Sequence, residues 1–153
     1  MDQLLALSVG VGLGVSLLFT EFFGLAAGGM VVPGYIALYL DRPEAVVMTL
    51  AAGVATFSIV QAVSSVVVVY GRRRTALMIL VGYLVGMTLR WLTAGAVFGG
   101  VSGADFSVIG FIIPGLIGIW IARQGVVETV TSIVTVSIVV RLILVLVVGD
   151  QLI

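Results

Sequence analysis

The stretch "MVVPGY", Met30 to Tyr35, places a Pro-Gly pair inside a long apolar run, and the pair returns in "FIIPGL", Phe111 to Leu116. Proline removes a backbone donor and clashes with the carbonyl one turn back, while glycine adopts backbone angles closed to other residues. We therefore expect one half-helix to end and another to begin at each pair. Because unsatisfied backbone groups are costly in hydrocarbon, each break should face protein or a wet cavity.

Composition indicates that the solvent is lipid, since 61% of the 153 residues are apolar and only 9% are charged. We interpret the chain as an all-α integral membrane protein with a single membrane domain, residues 1–153. The first segment has no Lys or Arg before it, so we expect it to be retained rather than cleaved. Six apolar helical segments are predicted, at Leu4–Thr20, Phe22–Leu40, Ala45–Val69, Thr75–Ala94, Phe106–Ala122 and Val126–Val148.

The sequence contains neither cysteine nor histidine. This removes disulfides, thiolate nucleophiles, imidazole bases and the commonest transition-metal ligands. Lysine is absent too, and with it any GxxxxGK[ST] phosphate-binding loop. We therefore expect no catalytic residue, no metal and no cofactor, and we predict no nucleic acid partner.

Shifting the sequence by 81 positions aligns the two Pro-Gly pairs together with a glycine before them and an arginine after them. We interpret this as a duplicated unit of three segments, with repeats of about 1–73 and 74–153; chance similarity between apolar sequences is the alternative. If the broken middle segments span the membrane fully, the repeats are inverted, and if they are re-entrant, the repeats are parallel. The aligned residues are Gly29 with Gly110, Pro33 with Pro114, Gly34 with Gly115, and Arg42 with Arg123.

These eight aligned residues are candidates for binding an anion or for lining a path through the membrane. A helix that begins at Pro33 or Pro114 presents free amide donors and about half a positive charge, which suits a carboxylate. The alternative is that each Pro-Gly pair forms a hairpin or a kink packed against its neighbours.

All seven basic residues are arginines, and three of them, Arg72 to Arg74, form a cluster between the two predicted repeats. The positive-inside tendency places this cluster in the cytoplasm, where Arg72, Arg73 and Arg74 are candidates for docking a partner. Arg141 lies well inside the last segment and should either reach an interface or pair with an acidic residue. The further candidates for intramembrane ion pairs are Glu21, Arg90 and Asp105.

Three motifs, in order along the chain, resemble the PgsC/CapC family, the small membrane subunit of bacterial poly-γ-glutamate capsule synthases. They are "AGGMVVPGY" (Ala27–Tyr35) after Glu21, "YGRRR" (Tyr70–Arg74) and "GFIIPGLIGIWIARQG" (Gly110–Gly125). The resemblance implies a multi-pass subunit in the bacterial plasma membrane. Its implied partners are an ATP-dependent amide ligase at the cytoplasmic face and an outward-facing subunit, which together make and export an anionic polymer of glutamate.

The leading hypothesis is a non-catalytic subunit that anchors the ligase and offers the polymer a polar path between the repeats. In this hypothesis the Pro-Gly breaks line the path, Arg42 and Arg123 meet carboxylates, and Arg72 to Arg74 dock the ligase or steer the nascent polymer. One domain of this size encloses little space, so we also expect a homo-oligomer. The alternatives are an autonomous small-solute transporter or channel, and an architectural anchor without a path.

Overall fold

The computed structural model describes residues 2–95 and 112–149, and within these ranges the chain folds as six α-helices, which confirms the all-α prediction. The predicted site residues Gly110 and Asp105 lie outside the described residues. The helices are α1 (Asp2–Phe23), α2 (Val32–Leu38), α3 (Pro43–Val66), α4 (Arg72–Gly95), α5 (Ile113–Gln124) and α6 (Val126–Val148).

Four of these helices, α1, α3, α4 and α6, are long and apolar enough to cross a membrane. Only 17% to 33% of the residues in each span are buried inside the protein, so most of their apolar side chains face outward. Phe22, Trp91 and Leu146, for example, are each about four-fifths exposed. In water such a surface would cause aggregation, whereas in lipid it is the expected exterior.

Both Pro-Gly pairs begin a helix. Pro33 and Pro114 lie in the first turns of α2 and α5, where a missing N–H costs nothing because the helix cannot pair it. The half-helix expected ahead of Pro33 is absent, since residues 24–31 are not helical. Glycines explain this difference from the prediction: Gly24, Gly28 and Gly29 adopt positive φ angles of 66°, 71° and 104°, which other residues rarely reach.

The non-helical stretch returns the chain along α1. After α1 ends at Phe23, Gly34 packs on Ser8 and Val9, and at 1.5 Å per residue this contact lies about 20 Å back along the helix axis. α2 then continues toward the start of α1. The middle segment therefore passes back along most of the length of α1 instead of dipping and returning to the same end.

We call the end of the bundle where residues 67–71 connect α3 to α4 the joint end, and the end where residues 39–42 connect α2 to α3 the far end. α1 and α5 both finish at the joint end. Gln124, the last residue of α5, hydrogen-bonds Ala26 just after α1, and Arg123 lines a cavity together with Gly71. Successive passes of the chain thus alternate in direction.

Each of the two short helices, α2 and α5, packs on helices of both predicted repeats. α2 packs on α1 and on α6, whereas α5 packs on α4 and on α3, so each short helix contacts the last helix of the other predicted repeat. The main hydrophobic core lies where these helices meet. It contains Val32 and Ile36 of α2, Ala45 and Val46 of α3, Ile113, Ile117 and Ile121 of α5, and Ile133 of α6.

Packing contacts in the two halves correspond, but the sequence offset changes from element to element. Gly34 faces Ser8 and Val9 of α1, and Gly115, 81 positions later, faces Met78 and Ile79 of α4, which lie 70 positions after their counterparts. Buried residues of α3 and α6 correspond at an offset of 84, as Ala45 with Thr129, Thr49 with Ile133, Ala52 with Val136, Gly53 with Ser137, Thr56 with Val140, and Val60 with Leu144. The duplication remains a prediction, and these matching contacts support it.

Candidate functional site

The Pro-Gly pairs lie in close helix contacts. A Cβ atom placed on Gly34 would lie 2.9 Å from the Ser8 carbonyl oxygen and from the Val9 Cα, and one placed on Gly115 would lie 2.9 Å from the Met78 carbonyl oxygen. Facing glycines make the approach mutual, because Gly12 of α1 contacts Gly34 and Gly82 of α4 contacts Gly115. Both breaks therefore face protein and not lipid, as the cost of unsatisfied backbone groups requires.

Side chains from three other helices satisfy the backbone of the first broken segment. Near its start, the Gln124 side-chain amide accepts a hydrogen bond from the Ala26 N–H at 3.1 Å and donates to the Ala26 carbonyl at 2.6 Å. At its centre, the buried Ser8 hydroxyl donates to the Gly34 carbonyl at 2.6 Å. At its end, Arg141 donates to the Ala37 carbonyl at 3.2 Å. The backbone of this segment is thus hydrogen-bonded by side chains near its start, at its centre and at its end.

Gln124→Ala should destabilise the protein by about 1–3 kcal/mol, because both the N–H and the carbonyl of Ala26 lose their partner in a partly buried site. Gln124→Glu should rescue only in part, since a carboxylate accepts from the N–H but cannot donate to the carbonyl. Thermal unfolding in detergent, followed by tryptophan fluorescence, measures the difference. A Gln124→Ala protein as stable as the parent would contradict this role.

Arg141 of α6 forms an ion pair near the end of α2. Its Nη2 lies 2.6 Å from Oδ1 of Asp41, while its Nη1 donates to Ala37. The Arg141 side chain is 15% exposed and that of Asp41 is 66% exposed, so the pair connects the interior to the far end of the bundle. The guanidinium therefore caps the Ala37 carbonyl near the end of α2 and is held there by a carboxylate.

A cavity of about 200 Å³ opens at the joint end between the start of α4 and the end of α5. Two arginines line it, Arg74 from α4 and Arg123 from α5. Arg74 donates from Nη2 to the Gln61 side chain of α3 at 3.0 Å, and Arg123 lies over the Trp120 ring with 5.4 Å between guanidinium carbon and ring centroid. The remaining lining residues are Gly71, Thr75, Met78, Ile119 and Ala122.

The other predicted residues occupy separate places. Arg72 and Arg73 are exposed on the first turn of α4 at the joint end, whereas Arg42 precedes α3 at the far end. The two arginines aligned in the sequence, Arg42 and Arg123, thus lie at opposite ends of the bundle. Glu21 is exposed near the end of α1, and Arg90 lies on α4 in an open groove beside Tyr83 and Trp91.

Gly29, the remaining predicted residue of the first motif, lies beneath Trp120. A Cβ atom there would be 3.1 Å from the indole Nε1, so the glycine lets the non-helical stretch approach α5 closely. In the described ranges, no group of three acidic side chains comes together that could hold a metal ion.

Sequence reasoning missed three partners: Ser8, Asp41 and Gln124. Two of them stand beside residues that were selected, since Asp41 precedes Arg42 and Gln124 follows Arg123. An isolated polar residue next to a predicted break is the signal that could have identified them, because the freed backbone groups need donors and acceptors.

Similarity to known proteins covers most of the chain. A family profile described as "Capsule biosynthesis CapC" matches residues 11–130. The chain is 36% identical over 132 residues to "PGA biosynthesis protein CapC" of Bacillus subtilis (strain 168), which covers 86% of this chain and 85% of that protein. It is 35% identical over 137 residues to "Capsule biosynthesis protein CapC" of Bacillus anthracis, which covers 89% of each chain. No solved structure gives a significant match. These matches confirm the resemblance found in the sequence: the chain belongs to the capsule biosynthesis CapC family.

Proposed function

We propose that this protein is a non-catalytic membrane subunit in the synthesis of a poly-γ-glutamate capsule, that it anchors the ATP-dependent amide ligase, and that it helps the polymer cross the membrane. Similarity to a protein named for PGA biosynthesis, over 86% of the chain, carries the proposal. The absence of cysteine, histidine and lysine from the sequence supports a role without catalysis.

The distribution of arginine supports an orientation with the joint end in the cytoplasm. Four of the seven arginines, Arg72 to Arg74 and Arg123, lie at the joint end. By the positive-inside tendency this end faces the cytoplasm. Since passes alternate in direction, the far end with Asp41 and Arg42 then faces outward, where we propose contact with the outward-facing capsule subunit. The predicted repeats are inverted in this arrangement.

Arg72 and Arg73 are the proposed docking residues for the ligase. Both are exposed on the first turn of α4, whereas Arg74 is partly buried and is held by Gln61. A ligase that releases an anionic polymer at the cytoplasmic face would meet this positive surface first. Charge on the ligase complementary to these arginines would speed and orient its association with this protein.

Arg72→Gln/Arg73→Gln should reduce co-purification of the ligase by about 2- to 30-fold, at roughly 0.2–1 kcal/mol for each exposed charge. Polymer yield should fall with it, and raising the salt concentration should weaken the parent complex. Arg90→Gln is the matched control, because it removes a charge near the opposite end of α4. Equal ligase recovery and equal yield from the double variant and the parent would refute the docking role.

The polymer path is proposed at a boundary between copies of this chain or between this chain and its partners. α2 and α5 meet in a closely packed core of valine and isoleucine, and both Pro-Gly pairs are buried in glycine contacts. This packing supports the interpretation that the Pro-Gly pairs pack against neighbouring helices, over a path through one subunit. Cross-linking between introduced cysteines on neighbouring copies tests the oligomer directly.

A further inference from the structure

We propose that the cavity between Arg74 and Arg123 is a binding site for a carboxylate of the acidic polymer. The proposal rests on the function proposed above and specifies where this protein first binds the polymer. The cavity lies at the joint end, beside the exposed Arg72 and Arg73, and therefore on the face to which a docked ligase would deliver its product.

The first argument is the unbalanced charge of the cavity. Two guanidinium groups line it, and none of its described lining residues is acidic. Asp41, the acidic partner of Arg141, lies at the far end of the bundle. Arg74 is bound by Gln61, which is neutral, and Arg123 by the face of Trp120. Within the described residues neither guanidinium is paired with a carboxylate, and an anion in the cavity would face both.

The second argument is an orphaned donor. The Nε atom of Arg74 is buried and has no hydrogen-bond partner among the described residues, although the same guanidinium is already fixed through Nη2 by Gln61. An unpaired charged donor away from water is costly, and a planar oxygen pair placed against the guanidinium edge would satisfy it. The start of α4, a helix of 24 residues, adds partial positive charge beside the same cavity.

The third argument concerns the shape of the ligand. Met78, Ile119 and Ala122 give the cavity apolar walls, while the arginines supply the polar part. A carboxylate flanked by methylene groups matches this division, because the methylenes contact the walls and the oxygens reach the guanidinium groups. In a γ-linked glutamate chain, the free α-carboxylate of every residue lies beside main-chain methylenes, and so the polymer repeats this form along its length.

The test is binding of a short γ-linked glutamate oligomer to the purified chain, without ligase, in nanodiscs of zwitterionic lipid. Arg74→Gln and Arg123→Gln should each weaken binding by about tenfold or more, as expected for loss of a charge-assisted hydrogen bond. Ala122→Leu, which keeps both charges but fills the cavity, should weaken it as well. The matched control Arg90→Gln removes a charge about 24 Å further along α4 from Arg74, beyond the screening length, and should change the affinity by no more than about twofold.

Equal affinity of Arg74→Gln, Arg123→Gln and the parent, all with parental unfolding temperatures, would overturn the site. A lipid phosphate is the competing oxyanion. If nanodiscs containing phosphatidylglycerol abolish oligomer binding, and Arg74→Gln releases that lipid, the cavity holds a headgroup and the carboxylate assignment is wrong. Because no ligase is present, this outcome is independent of the docking test, in which Arg74 and Arg123 are left unchanged.

Discussion

Gly12→Ala and Gly82→Ala should each unfold the protein or lower its stability by about 3 kcal/mol or more, the upper range for overpacking. A Cβ atom on Gly12 would lie 2.8 Å from the Cα of Gly34, and one on Gly82 would collide with the backbone of Gly115. Backbone atoms cannot rotate away as a side-chain end can. One of the two helices would have to move, and α2 is further held by Ser8 and Arg141.

The same substitution on the same helix gives the control. A Cβ atom added to Gly10 or Gly14 of α1 would have no neighbouring atom within 4 Å, so Gly10→Ala and Gly14→Ala meet open space. Alanine is the better helix former by about 1 kcal/mol, so these variants should be as stable as the parent or slightly more stable. The measurement is the unfolding temperature and the monodisperse yield in detergent. A Gly12→Ala protein as stable as Gly10→Ala would show that the close approach is not required.

Small residues are this important because lipid offers little hydrophobic drive for helices to associate. Lipid tails are as apolar as leucine, so close packing and hydrogen bonds must hold helices together. Sequence spacing alone does not select the functional glycines. Gly10 and Gly14 have GxxxG spacing yet a Cβ atom on either would meet no atom within 4 Å, whereas Gly12, which contacts Gly34, has no glycine four residues before or after it.

The sequence predicted the parts of the fold that depend on local chemistry. Apolar segments of membrane-spanning length, and breaks at Pro33 and Pro114, follow from the residues themselves. The non-helical stretch of residues 24–31 was missed, because its glycines resemble those of a tightly packed helix until their φ angles are known. Composition does not show whether a glycine allows close helix packing or a non-helical backbone.

Contacts across the bundle lie beyond what the sequence could predict. Gln124 bonds a residue 98 positions earlier, and Arg141 bonds one 104 positions earlier. The single offset of 81 fits only the surroundings of the Pro-Gly pairs. The stretches of chain between corresponding contacts differ in length between the two halves, so the neighbouring helices correspond at offsets of 70 and 84. That Arg74 and Arg123 line the same cavity could not be predicted either, because the sequence does not show that α5 returns to the joint end.

Arg141→Glu should destabilise the protein by about 3–5 kcal/mol, the cost of leaving an uncompensated charge where a pair had been. The new carboxylate would lie beside Asp41 and could not donate to the Ala37 carbonyl, so α2 would lose its cap. Arg141→Lys should be intermediate, because an ammonium keeps the charge but lacks the planar fork that reaches both oxygens. The unfolding temperature in detergent, compared among the parent, Arg141→Lys and Arg141→Glu, measures these differences.

Substitution of Asp41 should destabilise the protein less than substitution of Arg141. This difference separates a role of Arg141 as a helix cap from a role as a simple ion pair. Asp41 is 66% exposed and stays hydrated when unpaired, so Asp41→Asn should cost no more than about 1 kcal/mol. Adding Asp41→Arg to Arg141→Glu should recover only the charge repulsion, since Ala37 would still lack its donor. Full recovery in that double variant, or equal losses from Asp41→Asn and Arg141→Glu, would show that charge pairing alone stabilises this end of the break. Incomplete recovery is expected, because Arg141 contacts the backbone that the Pro-Gly interruption leaves open.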